Sequence, residues 1–250
     1  MKSLIIKAAK EAGKLLMRRY NSIKTVKEKD KNSYVSNVDL ESDKLIISMI
    51  RKKFPNHNII TEESGKLHKK SDYTWYIDPV DGTHNYIRGL PYFGVSIGLE
   101  HKKKMIMGAM DMPYLKEFYF AEKGKGAFLN GKRLKVSKNN NLGKSFILTD
   151  LALRYDFHNK QKVLRKLKGK VYDVRMLGCA VAAYAYVARG FADAYYTTFT
   201  NSWDVAAGAL IVEESGGKVT DLKGGKWNAE MGNYVSSNGK IHNAFLKTIK

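Results

Sequence analysis

The sequence predicts a layered α+β fold, two sheets packed with helices, and three observations carry that prediction. The chain opens with apolar residues at helical spacing, continues through a central series of apolar runs broken by turn residues, and beyond residue 145 alternates strand-like with helix-like segments. Its 250 residues, 44% of them hydrophobic, suffice for a large core in one big domain or two closely packed halves.

Leu4, Ile5, Ala8, Ala9, Ala12, Leu15 and Leu16 recur on one helical face with Lys and Glu between them, which predicts an amphipathic first helix. The lysine-rich "KTVKEKDKNS" reads as a loop. A second helix is expected to start near Asp39, to carry Leu45, Ile46, Met49 and Ile50 on one face, and to stop before Pro55. "NIIT" is a short strand running into Glu62 and Glu63, and "WYIDPVDGT" is a strand that ends in a turn. "YFGVSIGLE", "MIMGAMDM" and "EFYFAE" read as an antiparallel meander, which "KGKGAFLNGKR" extends as a hairpin. "KVSKNNNLGKS" marks the expected boundary between two halves of a single domain, residues 1–138 and 139–250. In the second half, "FILTDL", "VYDVRML" and "ADAYYTTF" read as strands. Helices are expected around Val163 to Leu167, at "AVAAYAYVARG" and at "DVAAGALIVEESGG".

Forty-four Lys and Arg against 24 acids give a formal charge of +20, which by itself suggests nucleic acid or an anionic surface. The basic residues are mostly lysines scattered through several segments, as on a solvated or heat-adapted surface, so a dedicated nucleic-acid groove is not expected. The single cysteine, Cys179, excludes a disulfide framework and a cysteine-based metal site, and fits a reducing compartment. The first helix lacks the unbroken apolar core of a signal peptide, and "VAAGALIV" falls far short of the roughly 20 residues of a membrane span. A soluble, cytoplasmic protein is expected.

Four acids stand at element ends instead of on helix faces: Glu62, Asp78, Asp81 and Asp204. Hard cations such as Mg²⁺ take carboxylate and carbonyl oxygens and keep places for water and phosphate. Asp78-Pro79-Val80-Asp81 suits that need: Pro79 stiffens the turn, both carboxylates can point to one side, and the Val80 carbonyl, outside a sheet ladder, can supply a further oxygen. Gly82 and Thr83 then open a short helix, "THNYIRG", whose first amides favour a phosphate. Taken singly, each piece has a plain structural explanation: Asp204 as an N-cap, "DPVDGT" as a turn, "EES" as a helix start.

Together, "NIITEES", "WYIDPVDGTHNYIRGLPYFGVSIGL", "EKGKGAFLNGKRLKVS" and "WDVAAGALIVEESGG" resemble the signature blocks of the inositol monophosphatase family, in order and at the usual separations. "YVSNVD" is similar to its V-T-x-x-D element. The resemblance runs from about Tyr34 to Gly217 and implies a five-layer α-β-α-β-α sandwich with Mg²⁺-dependent phosphomonoesterase activity. It further implies two or three ions, Mn²⁺ as a substitute, Li⁺ sensitivity and a homodimer.

Carried over residue by residue, the resemblance implies one ion on Glu62, Asp78 and the Val80 carbonyl, and a second on Asp78, Asp81 and Asp204. Glu62 and Thr83 would position and deprotonate the attacking water, with Asp39 orienting Thr83. The substrate would meet Asp81, Asp204, the Gly82 and Thr83 amides, and Gly178, Cys179 and Ala180 of "MLGCAVAAY". Thr197 stands where inositol-specific members carry a Glu, and His84 where a second Thr is usual. The implied substrates are small phosphorylated polyols or sugars, inositol 1-phosphate and fructose 1,6-bisphosphate foremost. Arg154 or Arg175 is a candidate for a second phosphate, and Arg175 equally a support of the fold. The Lys24 to Lys31 segment matches a part of the family that closes over the metals. Two alternatives stand beside this expectation. One is the 3′-phosphoadenosine 5′-phosphate branch, which "THNY" disfavours; the other is an RNA-associated regulatory protein on the same fold.

Overall fold

A computed structural model describes residues 1–20, 26–30, 33–150 and 153–250. Helix α1 (Lys2–Arg19) buries the predicted stripe, Leu4 through Leu16. Strands β1 (Val26–Asp30) and β2 (Ser33–Ser36) pair antiparallel, so the segment expected to be a lysine-rich loop holds a hairpin. Lysine content does not preclude such pairing, because the ladder is made by backbone groups whatever the side chains are. Helix α2 (Asn37–Lys53) starts two residues before the expected Asp39. Ser36 is its N-cap, and the Asp39 carboxylate accepts from the Ser36 amide at 3.0 Å in a reciprocal capping box. The helix ends at Lys53, ahead of Pro55.

Eight strands form the first sheet. They are β3 (Asn58–Thr61), β4 (Gly65–Leu67), β5 (Tyr73–Asp81), β6 (Gly94–His101), β7 (Lys104–Met112), β8 (Glu117–Glu122), β9 (Gly126–Leu129) and β10 (Lys132–Arg133), in spatial order β10-β9-β8-β7-β6-β5-β3-β4. The meander is antiparallel as expected, and only β3 and β5 run parallel. The short helix α3 (Thr83–Ile87) follows β5. Pro79 lies inside β5 and not in a free turn. It sits where the pairing to β6 slips between Asp78 and Asp81, a bulge that tolerates a residue without an N–H.

The second sheet takes β11 (Phe146–Thr149), β12 (Asp173–Met176), β13 (Ala194–Thr197), β14 (Lys218–Thr220) and β15 (Tyr234–Ser237), in the order β12-β11-β13-β15-β14. Helices α4 (Leu153–Leu167), α5 (Ala180–Ala188), α6 (Ser202–Glu214) and α7 (His242–Ile249) complete the chain.

Three interlayer cores fix the order of the layers. Helices α1 and α2 cover the outer face of the large sheet through Ile5, Leu16, Ile46, Trp75 and Val95. Helices α5 and α6 fill the space between the sheets with Val181, Ala185, Val205 and Ile211, against Met110 and Tyr195. Helices α4 and α7 close the far side through Val163, Leu167 and Phe245 against Ile147 and Val235. The result is the expected α-β-α-β-α sandwich. Helix α6 has Val205 to Val212 all buried, since it is covered on both sides, which is why its sequence is apolar all round. It lies so close to the large sheet that a Cβ on Gly98 would stand 2.7 Å from the Ala206 Cβ, and one on Gly108 2.8 Å from the Ala207 carbonyl oxygen. No helix among the described residues is long and apolar enough to cross a membrane.

Candidate active site

Parallel pairing of β3 with β5 brings two strand ends side by side, and with them Glu62 and Asp78. The Glu62 amide continues the ladder by donating to the Ile77 carbonyl at 3.2 Å. Both bulge carboxylates are buried. Asp78 Oδ1 accepts from the Val80 amide at 3.0 Å. Asp81 Oδ2 accepts from the Cys179 thiol at 2.9 Å and from the Val181 amide, tying the end of β5 to the start of α5. Asp204 arrives from the middle layer in the first turn of α6. It is the third residue of that helix and not its N-cap. Asn201 is the N-cap, and Asp204 Oδ2 accepts from the Asn201 amide at 2.9 Å and from Thr200 Oγ1 at 2.8 Å. The expectation of a helix-start aspartate holds, but through a capping box.

Glu62, Asp78, Val80, Asp81, Gly82, Thr83 and Asp204 line one cavity of about 210 Å³. No lysine or arginine is among its described lining residues. Its electrostatics follow from that composition. Burial pushes the Asp78 carboxyl well above the usual carboxylate range, and the charges of Glu62, Asp81, Asp204 and Asp39 push it further. Burial also raises Asp81, against the hydrogen bonds from Cys179, Val181 and Ala180. Asp204 is raised to about 7, by burial first and then by the charge of Asp81. Buried acids that raise one another need a cation or protons. The donor set, carboxylates with a bulge carbonyl beside them, is that of a hard divalent cation. Among the described residues, no three such side chains already stand together as a complete ligand set.

Thr83, first residue of α3, has its Oγ1 3.0 Å from Asp39 Oδ1 and 2.8 Å from the Val80 carbonyl oxygen. Burial raises Asp39 while its bonds from Ser36 and Thr83 lower it, the first effect being larger. Gly82 caps α3 at φ +78°, and a Cβ there would stand 2.7 Å from the Tyr92 carbonyl oxygen. Only glycine fits that position. Asn85 fastens α3 to the loop before α5, its Nδ2 donating to the Tyr92 and Leu177 carbonyls, both at 2.8 Å.

A second cavity of about 300 Å³ adjoins the first and shares Asp81, His84, Gly178, Asn201 and Asp204 with it. Gly178, Cys179 and Ala180 line it. Cys179 is a buried N-cap of α5, with its sulfur accepting from the Ala182 amide at 3.4 Å. Thr197 is placed differently: it is fully buried, donates to the Phe199 carbonyl at 2.8 Å, and lines neither cavity. Arg175 lies on the edge strand β12, is exposed, and pairs with Asp173, which answers to its fold-supporting alternative. The side chains of Arg154 and of Lys24, Lys27, Lys29 and Lys31 fall outside the described residues. Asp150, Thr200, Asn201 and Trp203 line the cavities without having been singled out in the sequence. Asp150 carries the same signal as Glu62, an acid directly after a short apolar strand.

Comparison with known proteins sets this geometry in a wider group. The sequence model of the inositol monophosphatase family matches residues 1–250. A Pseudomonas aeruginosa protein named Nus factor SuhB is 37% identical over 259 residues, covering 100% of this chain and 96% of that protein. A Thermotoga maritima protein named fructose-1,6-bisphosphatase/inositol-1-monophosphatase is 37% identical over 245 residues, covering 98% and 93%. Among solved structures, an extragenic suppressor protein suhB from Bartonella henselae superposes with a TM-score of 0.94 at 33% identity, covering 100% of this chain and 98% of that one.

Proposed function

The chain belongs to the inositol monophosphatase family, and from that premise we propose that it is a Mg²⁺-dependent phosphomonoesterase hydrolysing inositol 1-phosphate and fructose 1,6-bisphosphate in the cytoplasm. One observation carries the reading: four carboxylates, from β5, α6 and the residue just after β3, line a single cavity that no described lysine or arginine enters. Glu62, Asp78, Asp81, Asp204 and the Val80 carbonyl would hold the cations. Bound there, two or three Mg²⁺ ions, or Mn²⁺ in their place, supply the Lewis acidity that neutralises phosphate oxygens and acidifies water.

The residues of the chain do the rest. The Thr83 hydroxyl has one proton and two acceptors within reach, Asp39 and the Val80 carbonyl. Donated to Asp39, it leaves an oxygen lone pair to accept from the attacking water. Asp39 fixes that polarity, and Glu62 takes the proton. The Gly82 and Thr83 amides meet the phosphate. Gly178, Cys179 and Ala180 face the alcohol portion, with the Cys179 thiol holding Asp81 in place. Homodimerisation and Li⁺ sensitivity belong to the same proposal.

The likeness to Nus factor SuhB and the +20 charge favour a second reading, an RNA-associated regulatory role on this fold. Four acids lining one cavity, with Asp78 and Asp81 buried and costly to keep without a cation, favour the enzyme. Phosphate release with Mg²⁺ from inositol 1-phosphate, fructose 1,6-bisphosphate and adenosine 3′,5′-bisphosphate separates these readings. Turnover of the first two supports the proposal; turnover of the third alone assigns the phosphoadenosine branch. Salt-sensitive binding to a defined RNA without turnover of any ester assigns the regulatory role.

A further inference from the structure

The second cavity holds a carboxylate that the proposed chemistry does not use. Asp150 follows the last residue of β11 and lines the 300 Å³ cavity together with Asp81 and Asp204. Two separate elements hold it from behind. Its Oδ1 lies 3.0 Å from Lys160 Nζ of α4, and its Oδ2 accepts from the Tyr195 hydroxyl of β13 at 3.3 Å. The Lys160 side chain is only 1% exposed, so an ammonium is committed to the interior beside this carboxylate, whereas the Asp150 side chain keeps 27% of its surface open. A buried ammonium is costly without a partner, which makes Asp150 a fixed group and not a mobile surface acid.

The same cavity has apolar walls. Met176 and Phe199, which line it, are 56% and 49% exposed. Fixed carboxylates with apolar surface in one cleft suit an alcohol that has several hydroxyls and a C–H face. The hydroxyls donate to the carboxylates, and the ring packs against the apolar side chains.

We propose that Asp150 is a specificity-determining residue that accepts hydrogen bonds from the hydroxyls of a polyol or sugar monophosphate, with Lys160 and Tyr195 as its positioning residues; this rests on the phosphatase reading. Asp150 has no part in holding the cations or the attacking water, so its loss discriminates between substrates instead of ending catalysis.

The experiment compares inositol 1-phosphate with p-nitrophenyl phosphate, whose leaving group has no hydroxyl to donate, on the full chain with Mg²⁺. For D150N, kcat/KM on inositol 1-phosphate falls about tenfold or more, mainly through KM, as expected for a lost bond to a charged acceptor, while p-nitrophenyl phosphate changes less than about twofold. The double variant D150N/K160M, which also removes the buried ammonium, shows the same selectivity change, and its melting curve guards against misreading a folding defect. An equal fall on both substrates by a double variant that melts normally, or no change in their ratio, overturns the assignment. Wild-type protein inert toward both esters overturns the phosphatase reading and this inference together.

Discussion

The Thr83 hydroxyl lies 3.0 Å from Asp39 Oδ1, joining the first residue of α3 to the third residue of α2 across 44 positions of sequence. Asp39 is itself held by Ser36, whose amide donates to Oδ2 at 3.0 Å. A helix-capping arrangement thus becomes the support of a hydroxyl at the edge of the acidic cavity.

That support predicts a split between binding and rate. Thr83→Ala lowers kcat by about 10²-fold or more, the range of a lost proton-transfer partner, and leaves KM and Mg²⁺ affinity within about threefold. Asp39→Asn lowers kcat in the same direction. Steady-state kinetics at saturating Mg²⁺ check both, and a fully active Thr83→Ala removes the role assigned to the hydroxyl.

Asp204 predicts a pH dependence of stability. Its carboxyl moves from 3.8 in a free chain to about 7 in the fold, so between those values the folded state binds the extra proton. The resulting stability is present below 3.8 and is lost as pH rises through about 7. In EDTA, raising pH from 5.5 to 8 therefore lowers the melting temperature of the wild type more than that of Asp204→Asn, which keeps a capping side chain. Mg²⁺ at pH 8 restores the wild type but not the variant. Matching pH profiles for the two proteins would count against the burdened carboxylate.

Much of this arrangement was legible in the sequence where its cause is local. The stripe of Leu4 to Leu16, the apolar runs of the meander between turn residues and the acids after "NIIT" and "WYIDPV" all follow from the local sequence. Features settled by distant partners were not. The β1–β2 hairpin depends on cross-strand pairing that lysine content does not report. Strands β14 and β15 and helix α7 are short and gain their stability from the sheet and core they join. Thr197 aligned with a substrate position, yet its hydroxyl is turned to the Phe199 carbonyl in the interior. Asp150 carries a local signal, but nothing in "FILTDL" reveals that Lys160 and Tyr195 converge on it.

Gly82 predicts a backbone limit. Alanine there meets both a left-handed conformation, costing about 1–2 kcal/mol, and the Tyr92 carbonyl oxygen at 2.7 Å. Gly82→Ala lowers the urea midpoint accordingly and displaces the start of α3, so activity falls as well. An unchanged midpoint would mean that the turn has room to relax.

Cys179 is buried, and burial together with the charge of Asp81 holds its thiol well above the ordinary range. The thiolate is the reactive form, so native protein at pH 8 resists iodoacetamide, and urea-unfolded protein is alkylated within the same period. Mass spectrometry of the intact chain reads both states; rapid alkylation of the native protein would place the thiol in a more open setting.

The most direct test of the account is phosphate release from inositol 1-phosphate by the purified chain as Mg²⁺ is titrated, with Asp81→Asn measured in parallel. The account predicts turnover that requires Mg²⁺, disappears in EDTA, and falls by orders of magnitude in the variant while its fold persists by circular dichroism. Turnover that is indifferent to Mg²⁺, or that Asp81→Asn retains in full, would contradict the assignment of the acidic cavity as the catalytic metal centre.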